Sequence, residues 1–499
     1  MYVGDWLERW ALLEPRREAL VISEDGGRHT YGELHERTLK AERWLIEEHR
    51  VAEGDRVAVL AKNSTEHLEL FFACARLGAI LVPLNWRLAG PELAFILTDS
   101  TPRIVLVEKG QTPPPVPAAT TMVELVPGAS PWGGGRKSGS AGPRRPGEAV
   151  PLMILYTSGT TGQPKGAVLT HRSIFWNSIN TSLSWDLSGS DSTLTHTPFF
   201  HTGGWNVLTL PLLHRGGRVV LTATFDAGKA LGFVERERLT LLFAVPTMFD
   251  MMRQAPEFER TRLDSLRFAI SGGAPCPDDL SRSFLARGVR FKQGYGLTEV
   301  GPNCFAISLA EAAEHPDAVG YPIHNETVRV VRDDGTDCGP EEIGELVLSG
   351  PHVCAGYWNR PQTTAAAAQG GWFHTGDLVR RDTRGLTYIV GRKKEMFISG
   401  GENVYPAEVE RVLLMHPEVV AVAVVGVPHP KWGEVGRAFL VTEHGRAVPA
   451  EKLKEHCRQH LARYKVPHHF EFRDKLPMTS SGKIAKAALA AEPLTGTRD

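Results

Sequence analysis

The sequence predicts an α/β protein in two parts. One is a large N-terminal region of α/β sheets that carries a small antiparallel, barrel-like part; the other is a smaller α+β region at the C-terminus. Three observations carry this reading: βαβ rhythm from Asp55 to Lys292, a change to short strands and turns after Gly320, and a compact helix-and-strand pattern beyond Gly391. At 499 residues the chain is too long for one hydrophobic core, so at least two packed units are expected.

Apolar runs at 57–60, 80–83 and 104–107 read as strands, with a helical stretch at 66–77, which implies parallel sheet. From 113 to 147 the composition shifts to Pro, Gly, Ser and Arg, including Pro113-Pro114-Pro115 and Gly133-Gly134-Gly135, and a surface loop is expected. Strands resume at 153–156, 218–221, 241–245, 266–270 and 289–292, with a helix over 226–238. Then come short strands at 328–331, 345–348 and 386–390 with a turn at Asp334-Gly335. In the last region Pro406 opens a helix over 406–414, followed by strands at 420–425 and 437–441 and an amphipathic helix near 451–461.

Composition excludes several classes. Lys plus Arg is 56 against 57 for Asp plus Glu, so no broad basic field is available for nucleic acid. Hydrophobic content of 42% and charged content of 23% match folded globular domains, and no apolar stretch is long enough to predict a membrane span. Asp5, Glu8 and Arg9 in the first ten residues do not suit a secretory leader, and six cysteines without a Cys-x-x-Cys pair suit neither a disulfide framework nor a zinc knuckle. A cytoplasmic enzyme, monomeric or homodimeric, is expected.

The densest chemical signal is Thr157-Ser158-Gly159-Thr160-Thr161-Gly162-Gln163-Pro164-Lys165-Gly166, directly after the strand 153–156. Glycines let backbone N–H groups approach a polyphosphate, hydroxyls donate, and Lys165 adds charge. It is not a Walker loop, because the Gly-Lys pairs ending at Lys229 and Lys483 are followed by Ala230 and Ile484. A dinucleotide fingerprint also fails, since Gly294-x-Gly296 would need glycine where Glu299 stands.

With further segments in order, the chain resembles the adenylate-forming acyl-CoA synthetases. The loop after Tyr156 is similar to that family's phosphate loop, Gln293-Gly294-Tyr295-Gly296-Leu297-Thr298-Glu299 to its adenine and magnesium motif, and Thr375-Gly376-Asp377 to its ribose motif. Gly391-Arg392 with Gly400-Gly401-Glu402-Asn403 resembles the hinge segment, and 477–483 the terminal lysine loop. The resemblance implies an N-terminal AMP-binding domain over 1–391 and a mobile C-terminal domain over 392–499. It also implies ATP, Mg²⁺ and coenzyme A as cofactors and co-substrates, and a carboxylic acid, fatty or aryl, as substrate.

The residue chemistry agrees. Attack of a carboxylate oxygen on the α-phosphorus builds charge that positioned donors and cations must meet. Thr157, Thr160 and Lys165 suit the β and γ phosphates, Glu299 is a hard oxygen donor for Mg²⁺ with Thr160 as a second metal candidate, and Ser158, Gly159, Thr161 and Gly162 complete the loop. Gly272, Gly273 and Ala274 offer a flat backbone surface for a base beside Gln293, Gly294, Tyr295, Gly296 and Thr298. Asp377 can accept from both ribose hydroxyls while Arg392 adds a fork of donors.

By resemblance Lys483 reaches the acyl carboxylate and α-phosphate, although a lone terminal lysine is usually solvated. His201 by resemblance sits beside the acyl carboxylate, with Trp176, Trp205, Phe243, Gly294 and Asn303 around the acyl chain. The stretch from Pro198 to Trp205 holds no acid to pair an ammonium, which disfavours α-amino acids. Trp432, within Lys431-Trp432-Gly433-Glu434, resembles the CoA-ligase pattern, with Arg437 and Arg87 as candidates for CoA phosphates. Gly401 and Glu402 mark a thioester-forming face, and the pivot falls at Lys394 or Glu395. Loading of a carrier protein, luciferase-like oxidation of the adenylate, and non-catalytic nucleotide binding are the alternatives.

Overall fold

The computed structural model describes residues 2–23, 26–112, 114–132, 145–157, 163–443, 448–479 and 484–494. It divides into two compact units, one made of 1–328 and 348–374, the other of 329–347 and 375–499.

The first unit holds two sheets. In one, strands Phe291–Gln293, Phe268–Ser271, Leu241–Ala244, Ser192–Thr195, Arg218–Leu221 and Glu18–Ile22 lie side by side and parallel, with Arg28–Thr30 antiparallel at the edge. In the other, Thr121–Leu125, Ile104–Glu108, Arg56–Leu60, Ile80–Leu84 and Pro151–Thr157 are parallel, and Lys165–Thr170 folds back antiparallel. Helix Thr65–Leu77 is buried along its whole length, and Gly78 at φ +76° ends it in the left-handed conformation so that the chain can turn into Ile80–Leu84. Its charges are paired inside: Arg76 Nε lies 2.6 Å from Glu42, and Glu69 accepts from Arg37 and from the Trp132 indole, each at 2.5 Å.

The 113–147 stretch is a correction to the sequence reading. Strand Thr121–Leu125 pairs in parallel with Ile104–Glu108, and Leu125 and Trp132 are buried in the core. The strand stands at the sheet edge with only Leu125 fully covered, so it carries no apolar alternation to read. Residues 133–144 lie outside the described residues.

Strands Thr327–Val331, Ile343–Ser349, Trp372–Arg381 and Thr387–Arg392, most of whose residues belong to the second unit, neighbour one another in that order. The turn at Asp334-Gly335, with Gly335 at φ +82°, is where the sequence placed it. Further along, Val419–His429 and Gly433–Thr442 form a long antiparallel pair, with His469–Phe472 parallel to the latter. Residues alternate strictly: Val422, Val424, Ala438 and Leu440 face helices Pro406–Leu414 and Ala450–His460, while Ala423, Val425, Val427, Val435 and Phe439 face Leu476 and Leu489. Both faces of this pair are therefore covered, which is why its first strand reads as an unbroken apolar run from Val419 to Val427.

Candidate active site

Parallel strands place their C-terminal ends along one edge of a sheet, where α/β proteins bind ligands. Here Ala244, Ser271 and Gln293 end adjacent strands in matched register, Ala244 opposite Ser271 and Ser271 opposite Gln293. The chain continues from these ends into Gly272-Gly273-Ala274 and Gly294-Tyr295-Gly296. Gly294 N–H donates to Ser271 O at 2.7 Å, which holds the two segments together. Gly273 has φ +86°. A Cβ on Gly272 would stand 3.3 Å from Gly294 O and 3.4 Å from the Phe243 ring, so the glycine keeps this edge flat. The Gln293 side chain is used structurally, its amide donating to Pro316 O at 2.6 Å.

His201 comes from the next strand along, through the segment after Ser192–Thr195. It precedes helix Thr202–Asn206 and lies half-buried, its ring 4.8 Å from that of Phe200. A Cβ on the adjoining Gly203 would meet the Phe243 ring at 3.2 Å and Thr197 Cγ2 at 3.3 Å. Phe243 is thus flanked by Gly203 on one side and Gly272 on the other.

Thr157 and Lys165 face each other at the open end of the hairpin Pro151–Thr157/Lys165–Thr170. Residues Ser158, Gly159, Thr160, Thr161 and Gly162 lie outside the described residues. Gly166 has no room for a side chain, because a Cβ would come within 2.6 Å of Ile154 and 3.1 Å of the Tyr156 ring. The segment 355–358 runs beside Lys165–Thr170 through Val168 N–H to Gly356 O, Ala355 N–H to Val168 O and Trp358 N–H to Gly166 O. That brings the Tyr357 ring to 5.6 Å from the Lys165 ammonium and its hydroxyl to 2.9 Å from Glu299 Oε1, to which it donates. Cys354 N–H holds Glu299 O at 2.7 Å. Glu299 itself sits in a tight turn: a Cβ on Gly296 would fall 2.3 Å from Pro302 C and 2.4 Å from Gly301 O, so only glycine closes it. Thr298 is half-buried in this turn, and Tyr295 packs edge-on against Phe305. The half-buried Glu299 carboxylate is a hard anionic donor and fits a hydrated Mg²⁺.

In the second unit, Asp377 and Arg392 are register partners on adjacent strands, and Arg392 Nε meets Asp377 Oδ1 at 2.8 Å. Asp377 is buried while Arg392 is half-exposed, which sets an acceptor and a fork of donors side by side, a pair chemically able to bind a diol. The turn before it is fixed by Thr375, whose hydroxyl donates to Leu346 O at 2.7 Å and accepts from Asp377 N–H at 3.0 Å. Gly400 and Gly401, at φ +62° and +89°, link the strands Phe397–Ser399 and Glu402–Val404, and Gly400 N–H donates to Trp432 O at 2.8 Å. Trp432 is 41% exposed against this turn, and Glu402 is exposed beside it. Lys483 lies outside the described residues.

Three sequence assignments are corrected. Arg437 is fully buried, its guanidinium 2.6 Å from Glu471 and donating to Glu492 O and Pro493 O, so it has no donor to offer CoA. Trp205 stacks between Phe199 and Phe71 in the core, and Asn303 is buried with its amide on Thr181, Asn206 O and Val207 O; neither lines an acyl site. The sequence reading missed Tyr357, whose signal was its place in a Gly-Tyr-Trp run with no apolar period. It also missed Lys486, which bridges Glu395 at 3.1 Å and Glu410 at 2.8 Å and so ties Glu395 to the helix Pro406–Leu414.

Residues 7–358 match the AMP-binding enzyme family and 408–483 the AMP-binding enzyme C-terminal domain. A feruloyl-CoA synthase from an Amycolatopsis species is 41% identical, covering 97% of each chain, and an indoleacetate–CoA ligase from Aromatoleum aromaticum is 40% identical with the same coverage. The solved O-succinylbenzoate coenzyme A synthetase of Bacillus subtilis, in complex with ATP and magnesium ion, superposes with a TM-score of 0.86 at 30% identity, covering 97% of this chain and 99% of that one. The chain therefore belongs to the AMP-binding enzyme family, as an AMP-forming acyl-CoA ligase. It activates a carboxylic acid with ATP, releases pyrophosphate, and passes the acyl group from the adenylate to CoA.

Proposed function

We propose that the acid is an aryl carboxylate, of the hydroxycinnamate or arylacetate class. The observation that carries this is Phe243, held at the C-terminal sheet edge between Gly203 and Gly272, an aromatic surface with flat glycine walls that suits a planar ring. The names of the relatives at 41% and 40% identity support the same class.

In this reading Gly272, Gly273, Ala274, Gln293, Gly294, Tyr295 and Gly296 form the surface for adenine, Asp377 and Arg392 hold the ribose, and the loop from Thr157 to Lys165 holds the β and γ phosphates. Glu299, steadied by Tyr357, and Thr160 are the residues for Mg²⁺, which supplies charge neutralisation on the phosphates when bound. His201 lies beside the acyl carboxylate, and Lys483 meets the charge that develops as that carboxylate reaches the α-phosphorus. The region from 392 onward turns about Lys394 or Glu395 to present Lys483 first and then the face at Gly401, Glu402 and Trp432 for the thiol. Six free cysteines among the described residues support a cytoplasmic setting.

The test is a panel of ferulate, indoleacetate, a medium-chain and a long-chain fatty acid, each with MgATP and CoA, followed by AMP release. The aryl acids should give kcat/KM at least tenfold above the fatty acids. Preference for the long-chain acid would reject the aryl assignment.

A further inference from the structure

Outside the nucleotide and acyl residues, the first unit contains a buried cluster that the ligase reaction does not use. Cys304 lies just ahead of strand Phe305–Ala306, Glu326 just ahead of strand Thr327–Val331, and His352 in the segment 350–356. One donor atom from each falls within 4.8 Å of the others. The Glu326 side chain is 0% exposed and that of His352 1%. Neither carboxylate oxygen of Glu326 and neither ring nitrogen of His352 has a hydrogen-bond partner. His352 Nε2 and Glu326 Oε2 stand 3.2 Å apart, a separation that also suits two ligand atoms sharing one ion.

We infer that Cys304, Glu326 and His352 form a binding site for a divalent transition-metal cation of the Zn²⁺ type, separate from any Mg²⁺ at Glu299. A carboxylate buried with no hydrogen bond is costly, and a cation at these three donor atoms would offset that cost. In a tetrahedral site with bonds of about 2.0 Å to nitrogen and oxygen, those two donors stand about 3.3 Å apart, close to the separation seen. A thiol, an imidazole and a carboxylate together select Zn²⁺ over Mg²⁺ or Ca²⁺, which take oxygen ligands. The Cys304 thiol, now 3.3 Å from Gly301 O, would give its proton to solvent as its sulfur joined the ion.

The bound ion would act on the fold beneath Glu299. Cys304 N–H donates to Tyr295 O at 2.9 Å, Ile323 N–H to Cys304 O at 3.3 Å, and Cys354, two residues from His352, holds Glu299 O. Joining Cys304 to His352 through a metal would therefore close a clip around the turn that carries Glu299.

The test uses the untagged full-length enzyme, with metal content measured by mass spectrometry as isolated and after chelation and return of zinc. About one zinc per chain is expected, falling by about tenfold or more in Cys304→Ser and in Glu326→Gln. Chelation should lower the thermal midpoint of the wild type and zinc should restore it, a readout that needs no variant to fold. Zinc far below one per chain after reconstitution overturns the proposal. So does a full equivalent that persists in both variants, which would place the ion on surface imidazoles such as His456 and His460, one helical turn apart.

Discussion

The Tyr357 hydroxyl donates to Glu299 Oε1 at 2.9 Å while its ring faces the Lys165 ammonium at 5.6 Å. One side chain thus touches both Lys165, at the end of the proposed phosphate loop, and Glu299, the carboxylate proposed for magnesium. A shift of Lys165 or Glu299 would have to break or stretch a contact with Tyr357.

Tyr357→Phe keeps the ring beside Lys165 and removes only the hydrogen bond. Adenylation, read as pyrophosphate release from ATP and acid, should fall about fivefold to tenfold in kcat/KM for MgATP, the effect of about 1 kcal/mol. Thioester formation from supplied acyl-AMP should stay near the wild-type rate. Loss of both to the same degree would make Tyr357 a fold residue and nothing more.

Lys483→Ala should suppress adenylation about a hundredfold or more, corresponding to roughly 3 kcal/mol of transition-state stabilisation. AMP release from synthetic acyl-AMP plus CoA should be nearly intact, because no charge develops at the α-phosphate in that step. Lys394→Pro should do the opposite and impair the thioester step more than pyrophosphate release, since proline restricts the proposed pivot. Parallel loss of both rates in either variant would contradict the division of labour between the two half-reactions.

Arg437→Met should destabilise the C-terminal region without touching CoA binding. Glu471 would keep Arg473 at 3.0 Å but lose the buried guanidinium, and the carbonyls of Glu492 and Pro493 would lose their donors, a loss of about 1 to 3 kcal/mol. The thermal midpoint should drop by several degrees while KM for CoA in the surviving enzyme is unchanged. A raised KM for CoA with no stability change would restore the role first read for this residue.

Lys292 gives a pH dependence of stability. Burial, with Arg267 adding to it, pushes its ammonium from 10.5 down to about 7, against the rings of Trp185 and Phe268. Between those values the unfolded chain holds a proton that the folded chain releases. Stability from this group therefore rises with pH from about 7 to 10.5, by at most about 1.4 kcal/mol per unit. Lys292→Met should be more stable than wild type at pH 7 and should lose that part of the rise. Denaturant midpoints of both proteins at pH 7 and 9.5 give the comparison, and identical pH slopes would refute it.

Much of the architecture is legible in the sequence because parallel strands buried on both faces leave near-continuous apolar runs, as at Arg56–Leu60 and Phe268–Ser271. The helix Pro406–Leu414 lies where Pro406 placed it, since proline at the first turn is a local signal. Strand Thr121–Leu125 was hidden because edge strands need not bury alternate residues. Candidate residues could be named wherever the motif lies in contiguous residues, as in the segment ending at Glu299, whereas the pairing of Asp377 with Arg392 is a matter of strand register. The site was not legible where one residue acts across distant segments. Tyr357 meets Glu299 only because 355–358 runs along a neighbouring strand, and the burial of Arg437 depends on Glu471 and the backbone at 492–493, features no local spacing encodes.

The surface around Phe243 is bounded partly by carbons that are not there. Gly203 and Gly272 already carry the smallest side chain available, so no single substitution at either can enlarge the space, while a methyl group at Gly203 would press on the ring at 3.2 Å and one at Gly272 on Gly294 O at 3.3 Å. Change at these two positions runs in one direction only. With Phe243 as the proposed floor of the acyl site, added bulk at either glycine would narrow the space for the acid, and widening it would come through Phe243 at the cost of its aromatic surface.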